Sequence, residues 1–87
     1  MHEFSLIHDL IQKIQGIATE HRAERVTAVK VSLGALSHIS PEHFREHFDE
    51  AAAGTVAAGA QLEIDTCTDE ESPTAQDILL QSVDVEV

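Results

Sequence analysis

The sequence predicts a two-layer α+β domain, with two helices packed on one side of a three-stranded sheet in the order α-β-α-β-β. Three observations carry this reading. Residues 3–21 repeat aliphatic side chains at helical spacing, residues 41–53 do the same around two phenylalanines, and three other stretches alternate with period two. The length of 87 residues suits a single domain over 1–87, since domains commonly run to about 100–150 residues. No repeat, linker or low-complexity tract divides the chain.

The first helix is expected from about residue 3 to 21. Ile7, Leu10, Ile11, Ile14, Ile17, Ala18 and His21 fall on one side, and Asp9, Gln12, Lys13, Gly16 and Glu20 on the other. "RVTAVKVSLG" then alternates as a strand, which would place Thr27, Val29, Val31 and Leu33 on one face and Val26, Ala28, Lys30 and Ser32 on the other. Gly34 ends it. In the second helix Ser40 is suited to the N-cap, Pro41 to the first helical position and Gly54 to the stop. Phe44, Phe48, Ala51 and Ala52 make its apolar stripe. "AQLEIDT" alternates Leu62 and Ile64 against Glu63 and Asp65 as a second strand. "CTDEESPTAQ" reads as a surface loop with no apolar anchor between Thr68 and Gln76. "DILLQSVDVEV" is the third strand, expected to set Leu79, Val83, Val85 and Val87 on one face.

Hydrophobic residues make up 43% of the chain, yet the only aromatics of the Phe, Tyr and Trp type are Phe4, Phe44 and Phe48. Packing must rest on aliphatic side chains. Sixteen acids against five basic residues give a net charge of −11, which excludes the phosphate neutralisation that drives nucleic-acid binding. The same charge disfavours an anionic membrane surface, and suits a basic protein partner or a cation. No stretch approaches the roughly 20 apolar residues of a membrane span, and Glu3, His8 and Asp9 interrupt the run a signal peptide needs. Cys67 is the only cysteine, so a reducing compartment and a cytoplasmic location are expected.

Enzymatic chemistry finds little support. "HFREH" at residues 43–47 matches the H-x-x-E-H pattern of inverted zinc peptidases, and His43 and His47 stand one helical turn apart. A peptidase also needs a third ligand and a cleft, for which a chain of this size leaves little room. The pair is better read as decoration on the shoulder of the helix. No nucleophile elbow, Gly-rich oxyanion loop or phosphate-binding glycine motif occurs. A lone thiol among Asp69, Glu70 and Glu71 is a poor nucleophile.

The start of the chain is more informative. His2 is too large for removal of Met1, so the mature chain is expected to begin with a free amine, the His2 amide and the His2 imidazole. These nitrogens can close fused chelate rings around one ion. Ni(II) and Cu(II) favour planar nitrogen sites and displace amide protons, whereas Zn(II) prefers a tetrahedron.

"MHEFSL" before a helix, then "RVTAVKVSLGALSHISPEHF", then "AAAGTVAAGAQLEI", resembles the HypA/HybF family of hydrogenase nickel-insertion proteins. Gly34, Leu36, Ser37, Gly54, Thr55, Gly59, Ala60, Leu62 and Ile64 match the family pattern, and "QSVDVEV" looks like its last strand. The resemblance implies a nickel metallochaperone for [NiFe] hydrogenase maturation, and for urease in some organisms. It implies Met1, His2 and Glu3 as the Ni(II) site, with the hydrogenase large subunit or a maturation GTPase as partner. Two departures stand out. Family members carry a zinc ribbon of two Cys-x-x-C pairs between the last two strands. Here a short loop over 67–77 with one cysteine takes its place, so no structural zinc is expected. Where some members supply an acid just before the second helix this chain has Ser40, which leaves His38 as the nearest replacement ligand. An alternative is a HypA-like accessory subunit or protein-binding module that does not deliver nickel.

Overall fold

The computed structural model describes residues 2–37, 39–73 and 75–87, with only the backbone of residues 2–5. Its elements are α1 (His2–Glu20), β1 (Arg25–Leu33), α2 (Pro41–Ala52), β2 (Gln61–Thr66) and β3 (Ile78–Glu86). The architecture is the expected α+β arrangement of two helices on a three-stranded sheet.

α1 buries Ile7, Leu10, Ile11, Ile14 and Ala18, at the i, i+3, i+4 spacing that sets side chains on one stripe. His21, placed on that stripe by spacing alone, lies exposed just beyond the helix. The helix ends where Arg22 adopts a left-handed φ of 54°. There the Ala23 N–H donates to the Ala18 carbonyl at 2.8 Å and the Arg22 N–H to the Thr19 carbonyl at 3.1 Å, satisfying carbonyls the helix leaves over. α2 starts as its sequence dictates: the Ser40 hydroxyl accepts from the His43 N–H at 3.1 Å, and Pro41 follows. Gly54, at φ 79°, turns the chain away after α2. Phe44 and Phe48 are buried, with ring centroids 6.1 Å apart. Arg45 Nη2 donates to the Leu62 carbonyl at 3.1 Å, which ties α2 to β2.

The strand order is β2-β1-β3, with β1 parallel to β2 and antiparallel to β3. The α2 connection is therefore a crossover between parallel neighbours. Two strand faces differ from simple alternation. In β1 the core residues are Val26, Val29, Val31 and Leu33, and Thr27 points outward. The cause is a bulge: Val26 pairs with Val85 and Ala28 with Asp84, so Thr27 is an extra residue that shifts the phase. A second irregularity compensates on β3. Lys30 pairs with Ser82 and Val31 with Leu80, which leaves Gln81 extra. Consequently Ile78, Leu80, Val83 and Val85 pack on the core, while Leu79 is 40% exposed and Val87 82% exposed. The opposite face of the sheet is polar, with Lys30, Gln61, Glu63, Ser82 and Asp84 around a shallow depression of about 490 Å³.

The loop after β2 also departs from expectation. Ala75 is buried at 5% exposure, so the loop has an apolar anchor near its end.

Candidate functional site

Of the N-terminal residues singled out by sequence, His2 and Glu3 open α1, which begins at His2. The first turn of any α-helix leaves its N–H groups without intrahelical carbonyl partners. The amide nitrogens of His2 and Glu3 therefore belong to the one part of α1 where an ion can take a backbone nitrogen without breaking a helical hydrogen bond. The positive end of the helix dipole disfavours a bare cation, by about 0.3–1 kcal/mol at an exposed site. Loss of amide protons to the ion offsets that term, because each ionised amide brings a negative charge.

Met1 and His38 lie outside the described residues, as do the side chains of His2 and Glu3. Ser40, in the position of the family's acid, has its hydroxyl engaged as the N-cap of α2. Cys67 is half-buried at the end of β2, where its N–H donates to the Leu33 carbonyl at 2.9 Å. Among the described residues no group of three or more His, Cys, Asp or Glu side chains is gathered to hold a metal.

Two surface features take shape in three dimensions. One is a groove of about 750 Å³ between α1 and β3, lined by Leu6, Leu10, Ile78, Leu79 and Leu80 with Asp9 and Lys13 at its margin. Alternation had hidden it by assigning Leu79 to the core face. The other is the α2 histidine pair. His43 is exposed, His47 is half-buried, and their ring centroids are 4.4 Å apart with planes inclined by 36°. Their i, i+4 spacing was the signal, although spacing alone does not show that the rings meet.

No helix among the described residues is long and apolar enough to cross a membrane.

Residues 1–71 match the family described as HypA, hydrogenase/urease nickel incorporation, metallochaperone. The chain is 44% identical over 64 residues to hydrogenase maturation factor HypA of Rhodopseudomonas palustris, covering 74% of this chain and 57% of that protein. It is 43% identical over 65 residues to hydrogenase maturation factor HybF of Salmonella typhimurium, covering 75% and 58%. The matched segment thus spans less than two thirds of these relatives. Among solved structures, the solution structure of the Ni metallochaperone HypA from Helicobacter pylori superposes with a TM-score of 0.79 at 18% identity, over 97% of each chain. That likeness establishes the fold.

Proposed function

Because the chain belongs to the HypA family of hydrogenase and urease nickel-incorporation metallochaperones, we propose that it is itself a nickel metallochaperone-like protein of [NiFe] hydrogenase maturation. In this reading Ni(II) is cargo, held by the Met1 amine, the backbone amides of His2 and Glu3 and the His2 imidazole, with His38 as a further ligand. The observation that carries it is the Met-His-Glu opening at the start of α1, where the helix leaves backbone nitrogens free. The ligand set is all nitrogen and suits a planar ion.

The finer properties follow the same reading. The protein acts by binding rather than by catalysis, in the cytoplasm, and passes nickel to a hydrogenase large subunit or a maturation GTPase. Residues 1–87 form one HypA-like nickel-binding domain, with 67–77 as a short loop in place of the zinc ribbon. One cysteine cannot assemble four thiolates, so no structural zinc is held there.

Calorimetric nickel titration of tag-free protein beside a version extended by Gly-Ser-Gly-Ser before Met1, long enough to take the amine out of any ring with the His2 imidazole, tests the site. Extension removes the terminal amine from its chelate ring, and His2→Ala removes the imidazole. Either change should abolish tight binding, whereas His38→Ala should only weaken it. Equal affinity for the native and extended chains would rule out the N-terminal site and leave an accessory, protein-binding role.

A further inference from the structure

We propose that the free edge of β3 and the groove beside it bind an extended basic segment of a protein partner, which joins the sheet as a short fourth strand. The inference stands apart from the nickel reading, because it rests on the sheet edge, the groove and their charges.

The first observation is that an open sheet edge and an apolar groove coincide. β3 is hydrogen-bonded to β1 on one side and forms the edge of the sheet on the other. An edge strand directs backbone N–H and C=O groups outward, where an added strand takes them up. α1 sits over the β3 side of the sheet and α2 over the β2 side. The groove between α1 and β3 is lined by no described residue of α2, so it follows the β3 edge rather than the seam between the helices. Its helix wall holds Leu6, Leu10 and Lys13, at the spacing of one helix flank. Leu6 at 42% exposure and Leu79 at 40% leave apolar surface in water on both walls.

The second observation is how unevenly the sheet edges are guarded. On β2, Arg45 donates to the Leu62 carbonyl, and Glu63 and Asp65 carry charges. On β3, the irregularity at Gln81 and the acids Asp84 and Glu86 guard the later part. Ile78, Leu79 and Leu80 have neither device, and they are the β3 residues that line the groove. An added strand therefore pairs along 78–80 and stops at the irregularity, which suits an extended segment of about four residues.

Charge selects the occupant. Asp9 borders the groove, and Asp77 and Asp84 stand on either side of the uncharged stretch. Among the described residues lining the groove, Lys13 is the one cation set against them. A second copy of the chain would bring a further net charge of −11 to the same edge, and that repulsion disfavours it. A segment alternating apolar residues with Lys or Arg fits both faces. Its apolar side chains turn toward Leu6 and Leu10, while the basic ones lay their stems along Leu79 and place their charges among the acids.

The test uses the full chain and a synthetic, end-blocked peptide of about seven residues that alternates Leu with Arg. Fluorescence anisotropy reads affinity, and amide resonances read the place of binding. One equivalent should bind and shift the amides of residues 78–80 and of Leu6 to Lys13. A peptide with Glu in place of Arg should not bind. A peptide of the same composition with its Leu residues grouped should bind at least about tenfold more weakly. N-methylation of every second backbone nitrogen, made in both phases, should cost about tenfold in the phase that faces the edge and little in the other. Leu6→Gln and Leu79→Gln, both at exposed positions, should each weaken binding about tenfold with little change in melting temperature. Equal binding of the grouped peptide, or of both N-methylated peptides, would show that charge alone holds the probe and would overturn the proposal. So would no binding at about 1 mM peptide, or sedimentation showing a dimer of the free chain that Leu79→Gln dissolves, which would give the edge to a second copy.

Discussion

The backbone N–H of Leu36 donates to the carbonyl of Ala75 at 2.7 Å, joining the turn after β1 to the last part of the 67–77 loop. Gly34 does the same to the Asp77 carbonyl at 2.9 Å. The loop therefore has two different halves. Around Asp69 it is an exposed turn, in which the Glu71 N–H donates to Asp69 Oδ1 at 3.0 Å. At Ala75 it is buried, and the Ala75 and Asp77 carbonyls tie it to the turn after β1.

Insertion should be tolerated in the first half alone. Four Gly-Ser residues between Glu70 and Glu71 lengthen a surface turn, and even a doubling of loop length costs only about 0.6 kcal/mol. The melting point should fall by about 5 °C or less. The same insertion between Ala75 and Gln76 displaces a buried side chain and the Leu36 bond, and should lower it several times further. Equal shifts in a pair of thermal melts would contradict this division.

Arg22 offers a route to higher stability. It occupies the left-handed position that closes α1, where a side chain costs about 1–2 kcal/mol. Arg22→Gly removes that strain at an exposed residue. Part of the gain is returned through the freer unfolded chain, leaving about 1 kcal/mol, or roughly 4–8 °C in melting temperature. Denaturant unfolding should show a higher midpoint with an unchanged slope. A lower midpoint would mean that the Arg22 side chain makes a stabilising contact in solution.

Chelator should leave the thermal melt of the protein unchanged. A structural metal couples its binding free energy to folding, and a chain with one cysteine cannot build a four-thiolate site for it. Unfolding on addition of chelator would reveal such a coupling, and the 67–77 loop would be the first place to seek it.

Nickel affinity should fall as pH drops from 8 to 6. An unperturbed α-amine titrates near about 7.7–8.0 and an imidazole near about 6.5, and each must lose its proton to bind. The amine alone should cost on the order of 2.5 kcal/mol at pH 6, roughly a hundredfold in affinity. Titrations at the two pH values check this. A flat profile would mean that the terminal amine is not a ligand.

Local sequence determined the elements of this protein and their ends. Ser40 and Pro41 start α2, Gly54 closes it, and the aliphatic stripe of α1 names its own buried face. These are signals within one or two turns, where capping and periodicity act without help from the rest of the chain. The Met-His-Glu opening was legible for the same reason, since chelate rings span adjacent residues.

Tertiary structure alone decided the strand order β2-β1-β3 and the faces of β1 and β3. "DILLQSV" contains Ile78, Leu79 and Leu80 in succession, so alternation gives no unique phase. Burying Ile78 and Leu80 as well as Val83 and Val85 requires the extra residue at Gln81, and the matching bulge at Thr27 keeps Val26 inside. Each bulge is chosen by what lies opposite it on the partner strand. The anchoring of Ala75 is likewise invisible locally, because its partner, Leu36, is brought beside it only when β1 and β3 pair. Period-two patterning reports the face of an isolated strand, but the phase of a bulged pair belongs to both strands together.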